Sequence, residues 1–438
     1  MGLANGSPKM PADITRRRFL GASLAAGITT VLPDPPRRLR VAAIYTVFRR
    51  RSHAFNILEN FLQPYLFDGR RIDPGMDVVS FYADQTAADG DLTQAVARRH
   101  HIPVYPTIPA ALCLGGSELA VDAVLSIGEH GEYPTSALGQ VEYPRKRFFD
   151  ESVAVMRRSR RFVPFFNDKH LSFRWDWARA MYDTARQLGI PLMAGSSVPL
   201  AERRPALELP AGATIEGAVS IHGGGVESYD FHALEILQSL IESRHGGETG
   251  VSQVEFLDAN GLWQAAAAGR WSIALAEAAM AVELGPGVRL RQIPAVQNGQ
   301  IHGILLTYRD GLRATVLKIG SSSIRWNFAC QLAGESKPRA TRFYTGPWGN
   351  RNLFQALSHA IQSHFREGRS PYPVERTLLT TGICDALMHS RAARQPITTP
   401  HLHIAYPPQD FRAFRETGAT WRVVTPSTPE PFGLNPGL

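Results

Sequence analysis

Residues 39–48, LRVAAIYTVF, run straight into RRRSHAFNILENFLQPYL at 49–66, and this junction decides the fold. The first stretch is almost continuously apolar and rich in β-branched and aromatic side chains. Its length and lack of polar alternation predict a strand buried on both faces. Apolar residues then recur at helical spacing over 54–66. The couple repeats along the chain. Strand 76–82 precedes helix 91–100, and 102–108 is a short extended piece broken by proline. Strand 121–127 precedes helix 148–159, strand 161–166 precedes helix 175–188, and 191–194 is a further strand. Such alternation predicts a parallel, doubly wound sheet with helices on both faces, a Rossmann-like α/β arrangement.

The pattern changes after about residue 200. A strand at 213–221 leads into Gly223-Gly224-Gly225 and a helix at 231–244. Strands follow at 251–257, 288–296, 303–308, 312–319 and 324–332, some joined by turns such as Arg309-Asp310-Gly311. A last helix spans 373–391. This predicts an α+β domain with an open, mostly antiparallel sheet. The expected organisation is a leader at 1–38, a Rossmann-like domain at 39–200, the α+β domain at 201–425 and a loose Pro-rich tail at 426–438.

Composition bounds the function. The chain has 438 residues, 44% hydrophobic and 20% charged, the balance of a globular protein. No run of about 20 apolar residues suggests several membrane spans. The net charge is +8, but residues 1–38 hold six cations against two acids, so half of the excess lies there. The densest cationic stretch of the body, 145–161, is barely interleaved with aromatics, which argues against a nucleic-acid partner. Three widely spaced cysteines (Cys113, Cys330, Cys384) form neither a disulfide framework nor a zinc motif.

Thr15-Arg16-Arg17-Arg18-Phe19-Leu20 resembles the twin-arginine export motif, and a 12-residue apolar run at 21–32 has the length of a signal core. This implies the Tat translocase as a partner and a periplasmic or extracytoplasmic destination. With no clear cleavage site, the segment could remain as an anchor.

Four motifs in order resemble the Gfo/Idh/MocA oxidoreductases, the glucose-fructose oxidoreductase and inositol dehydrogenase type, over residues 39–400. Val121-Asp122-Ala123-Val124 resembles the fourth strand of that family. Asn167-Asp168-Lys169-His170 stands where the family has Glu-Lys-Pro. Gly223-Gly224-Gly225 with His232-Ala233-Leu234-Glu235 resembles its Gly-rich turn and His-x-x-Asp. Pro373-Val374-Glu375 through His389-Ser390 resembles its last helix. The resemblance implies hydride transfer between NAD or NADP and a carbohydrate or polyol. Lys169 would stabilise an alkoxide or relay its proton, and His232 would take the carbinol proton. Glu235, Asp168 and His170 would contact the substrate, and a homo-oligomer is possible. Only five of the 47 Lys+Arg are lysine, which sets Lys169 apart from the background.

The phosphate turn departs from the family. Where Gly-x-Gly-x-x-Gly follows the first strand there, this chain has Tyr45-Thr46-Val47-Phe48-Arg49-Arg50-Arg51-Ser52-His53, with no glycine. Arg49 and Ser52 at a helix start could grip phosphate by charge and hydroxyl. Asp84, ending the second strand, would bond the ribose of NAD and repel the 2′-phosphate of NADP. Glu129 and His130 complete the expected cofactor set. A divalent ion among Glu129, His130, Asp168, His170 and His232 lacks any recognised ligand spacing, so no metal is assigned. Two alternatives stand beside dehydrogenation. One is a glycoside hydrolase or lyase that oxidises transiently with bound NAD. The other is a non-redox sugar-binding or pseudo-enzyme protein that lost the cofactor with its glycines.

Overall fold

In the computed structural model, residues 37–87 and 89–434 are described; the twin-arginine motif and the apolar run after it lie outside them. The run at 39–48 forms strand β1, Leu39–Tyr45, and turns into helix α1, His53–Leu62. Ser52 caps that helix, its Oγ accepting the Phe55 N–H at 3.2 Å. Strands β2 (Met76–Ala83), β3 (Ala123–Ile127), β4 (Phe165–Asp168) and β5 (Leu192–Gly195) join β1 in the order β2-β1-β3-β4-β5. Every neighbour pair is parallel. A single bridge from Phe81 to Val104 adds a rung outside β2, where 102–108 reads as extended. The chain leaves β1 toward β2 on one side and returns to β3 on the other. This opens a crevice above the carboxyl ends of β1 and β3.

The second sheet has eight strands. Its main strands are β6 (Ile215–His222), β7 (Val251–Leu257), β8 (Ile301–Tyr308), β9 (Arg313–Ile319), β10 (Trp326–Leu332) and β11 (Arg339–Tyr344). They run β7-β8-β9-β6-β10-β11, with Ile397–Thr398 and Glu202–Arg204 at the two edges. Only β9 and β6 are parallel, so the expected mostly antiparallel sheet is observed. Period-two alternation sorts its faces. Ala218, Ile304, Val316 and Phe328 pack with the helices Ser228–Ile241 and Val374–Ala393. Val219, Ile221, Leu317 and Ala329 pack against the helix Ile273–Leu284 on the other side. Both sheets lie in one compact unit, Arg38–Leu438.

Two local expectations differ from the structure. Residues 288–296 are not a strand: Leu290–Gln292 is a 3-10 turn and Pro294–Gln297 a helical turn, with Pro294 at the position where its fixed φ starts a helix. Residues 426–434 are not a loose tail either. Glu430 pairs with Arg50, Arg51 and Arg351, and Trp348 Nε1 donates to the Thr428 carbonyl at 2.9 Å. Among the described residues no helix is long and apolar enough to cross a membrane.

A fully buried ion pair ties the sheet domain's two inner helices. Arg376, with no exposed side-chain surface, donates to Glu242, which also accepts the Tyr406 hydroxyl at 3.0 Å. Glu242→Ala strands that guanidinium without its partner, and urea unfolding should show a loss of about 3–5 kcal/mol.

Candidate functional site

A cleft of about 840 Å3 opens over the carboxyl ends of β3 and β4. His53, Glu129, Lys169 and His232 reach it from four different elements, and residues 426–430 wall it on the outside.

Lys169 follows directly on β4 with φ = +64°, a left-handed conformation that a lysine rarely adopts. Paired backbone hydrogen bonds with Gly195, at 3.1 and 3.2 Å, hold it there. The turn aims the side chain across to β3, where Nζ donates to Glu129 Oε1 at 2.9 Å. Glu129 also accepts from Arg145, whose side chain is wholly buried. Burial alone would raise the Glu129 carboxyl, but Lys169 and then Arg145 hold it well below the ordinary carboxylate range.

Asp168, the last residue of β4 and 1% exposed, turns to the other side, with Oδ2 lying 2.6 Å from His53 Nδ1. His53 is the first residue of α1, and its ring sits edge-on to His130 and Phe354. Its backbone N–H donates to His130 Nδ1 at 3.4 Å, and burial pushes His130 down to about 4. His232 lies on the first turns of α2, Ser228–Ile241, with Nδ1 2.6 Å from Ser196 Oγ. Burial first, then the positive Lys169, put His232 well below its ordinary value. Beside it Tyr229 and Trp326 stack at 5.3 Å with an 8° tilt, a flat apolar wall.

The remaining expected residues lie elsewhere. Glu235 is fully buried away from the cleft, accepting from Thr380 Oγ1 at 2.6 Å and the Ser196 N–H at 3.4 Å. Burial pushes its carboxyl up. His170 is buried 2.9 Å from Glu227 at the start of α2. Ser52 is spent as a helix cap, and Arg49 lines a separate 630 Å3 pocket with Gln85 and Gly131. Asp84 accepts from the Tyr82 and Tyr133 hydroxyls at 2.6 and 2.7 Å and pairs with Arg147. Sequence reasoning missed His53, the Tyr229–Trp326 wall and Glu430. The one available signal was position, since His53 opens the helix that follows β1.

Glu129, His130, Asp168, His170 and His232 thus face different partners rather than a common ion. Among the described residues, metal-ligand spacing occurs at His222, Asp230 and His302. There the Gly224 N–H donates to His222 Nδ1 at 3.2 Å, so the ring proton sits on Nε2. That proton donates to Asp230 at 2.8 Å, and His302 adds a second bond at 3.0 Å. A hydrogen-bonded triad accounts for all three groups.

For a nicotinamide dinucleotide, the residues fit at one end and depart at the other. The Lys169–His232 end offers room, a cation and an imidazole over the strand ends. The β1 turn offers no glycine cradle. Thr46 is tied to both flanks, its N–H to the Ile127 carbonyl at 3.2 Å on the β3 side and its carbonyl accepting the Gln85 N–H at 2.9 Å on the β2 side. Arg51 lines the main cleft and Arg49 the second pocket, so arginine side chains rather than glycines face both spaces.

No protein-family model matches the chain, and no curated protein matches its sequence. Solved structures do share its fold. GenD2 from gentamicin A biosynthesis, in complex with NAD, aligns at 13% identity and a TM-score of 0.53, over 83% of this chain and 96% of that one. Apo scyllo-inositol dehydrogenase from Lactobacillus casei aligns at 8% identity and 0.51, over 83% and 98%. A myo-inositol dehydrogenase from Corynebacterium glutamicum aligns at 11% and 0.50, over 83% and 99%. At these identities the likeness establishes the architecture: a Rossmann-like domain carrying a C-terminal sheet domain.

The Glu129 cluster has a pH signature. Its folded-state value lies below the unfolded one of about 4.3, so it stabilises the fold above that pH and loses the contribution as the pH falls. Urea unfolding at pH 7 and pH 4 should show Glu129→Gln less stable than wild type at pH 7. The variant should also lose less stability on acidification.

Proposed function

We propose that the protein is an oxidoreductase of the Gfo/Idh/MocA type that oxidises a hydroxyl of a carbohydrate or polyol, with NAD or NADP as hydride acceptor. The observation that carries this reading is the Lys169–Glu129 pair beside His232 at the carboxyl ends of β3 and β4. In an α/β sheet this is where ligands bind. The Lys169 Nζ, fixed by Glu129, stabilises an oxyanion developing on the substrate oxygen. The stacked Tyr229 and Trp326 rings take the C–H face of a sugar ring, and the cleft's polar groups take its hydroxyls. When bound, the nicotinamide supplies the hydride acceptor. Export by the Tat translocase belongs to this reading, supported by residues 15–32. A periplasmic enzyme of this kind would hold its cofactor through turnover, which keeps the NAD-recycling hydrolase or lyase within the same reading.

One observation favours a second reading, a non-redox sugar-binding protein. The glycine-free turn is tied down on both flanks, and the Asp84 carboxylate already has three protein partners. Native mass spectrometry of the purified protein separates the two. A bound or titratable dinucleotide supports the oxidoreductase, and none even at millimolar NAD and NADP supports the second reading. Under the first, Lys169→Ala, which also breaks the buried pair with Glu129 and so lowers the melting temperature, should lower turnover about 10²–10³-fold at temperatures where the variant is still folded.

A further inference from the structure

We propose that His53, oriented by Asp168, is the proton acceptor of this cleft, and that His232 instead presents an N–H to the substrate oxygen. This rests on the reading that a substrate hydroxyl is processed here; the assignment of the two imidazoles comes from their hydrogen bonds alone.

A neutral imidazole has one N–H, so the partner of one nitrogen fixes the other. His53 Nδ1 lies 2.6 Å from Asp168 Oδ2, and that carboxylate can only accept. The ring proton is therefore on Nδ1. Nε2 is left with a lone pair, makes no hydrogen bond among the described residues, and belongs to a side chain that lines the cleft. His232 is the reverse case. Ser196 Oγ already accepts the Val198 N–H at 3.0 Å, and Ser196 is 2% exposed. Among the described residues its hydroxyl proton has one acceptor, His232 Nδ1 at 2.6 Å. Leaving that buried proton unbonded is costly. His232 Nδ1 thus accepts, and Nε2 carries the proton.

The charges around His53 support the assignment. The end of β4 contributes Asp168 and Lys169, and the loop after β3 contributes Glu129 and His130. From α2 comes His232, from the turn before α1 comes Arg51, paired with Glu430, and from the helix Asn350–Glu367 the Phe354 ring packs on His53 while Arg351 is paired with Glu59 and Glu430. Asp168 is the acid in direct contact, placed to stabilise an imidazolium. Burial keeps His130 neutral, and burial with Lys169 keeps His232 neutral, which suits a hydrogen-bond donor better than a base.

The step balances as follows. The substrate O–H bond breaks and its proton passes to His53 Nε2, giving an imidazolium paired with the Asp168 carboxylate. An oxidised nicotinamide, when bound, would take up the hydride, hydrogen with two electrons, that the carbinol carbon gives up on becoming a carbonyl. Lys169 Nζ and His232 Nε2–H steady the oxygen meanwhile, and His53 returns the proton to water afterwards. Asp168 is a positioning residue.

The tautomers can be read without any substrate. Long-range 1H–15N correlation of the histidine side chains at neutral pH should show His53 protonated on Nδ1 and His232 on Nε2. Assignment comes from the signal lost in His53→Gln or His53→Asn and in His232→Gln. The opposite pair of tautomers overturns the proposal. Because this measurement is made on the free protein, it stands or falls separately from the oxidoreductase reading, which fails if no dinucleotide binds. Once a substrate is in hand, Asp168→Asn should lower kcat/KM about 10²-fold and move the acid limb of its pH profile to lower pH. His232→Gln should lower kcat and leave that limb in place. An acid limb that survives Asp168→Asn unmoved and vanishes in His232→Gln overturns the proposal as well.

Discussion

The Glu129 carboxylate, buried between Arg145 and Lys169, is the constraint on which the cleft depends. Two cations from distant elements converge on one acid at the end of β3, and none of the three is solvated well enough to stand alone. The packing beneath is correspondingly tight. A Cβ at Gly128 would come within 2.7 Å of the Arg145 side chain, so only glycine lets that arginine pass under the strand end. Above, Lys169 reaches Glu129 from a left-handed backbone, a conformation that among the described residues is left mostly to glycine. Once Lys169 is turned inward, Asp168 is turned the other way, toward α1.

Much of this was legible in the chain itself. The continuous apolar runs at 39–48 and 121–127 announce buried parallel strands because a strand covered on both faces needs no polar alternation. Lys169 could be singled out because it follows such a strand in an arginine-rich protein. The helix Asn350–Glu367 was not legible, and its residues say why. Its apolar residues do recur at helical spacing, at Leu353, Leu357, Ile361 and Phe365, but its buried side also includes Arg351, Asn352, Gln355, Ser358, Gln362 and His364, which mask that stripe. Some of these polar groups find partners far off in sequence: Arg351 on Glu59, and Gln362 on the Asn60 carbonyl. His53 was hidden for a related reason. Behind three arginines it reads as solvated surface, and its role is set by a carboxylate 115 positions away.

The architecture matches that of inositol-type dehydrogenases, yet the crevice has been refitted with side chains. Where glycines would leave backbone N–H groups bare, Ser52 satisfies the first turn of α1 and His53 projects from it. Asp84, at the end of β2, has been drawn into a cluster with two tyrosines and an arginine. Burial raises that carboxyl and these three partners more than offset it. The same strand order therefore supports a different distribution of polar groups. The fold fixes where a ligand can enter, and the turn residues fix what it meets.

The segment from Pro426 to Glu430 supplies the outer wall of the cleft, although β1 and α1, which it closes over, lie nearly four hundred positions earlier. A ribosome releases those early elements long before the wall exists. The sheets and their inner helices can pack during synthesis. The finished cleft, however, comes into being only once residues 426–430 emerge and Glu430 finds Arg50, Arg51 and Arg351. Closing this cleft is thus a late event in synthesis, and a nascent protein stalled short of residue 430 would be folded in outline with the cleft's outer wall missing.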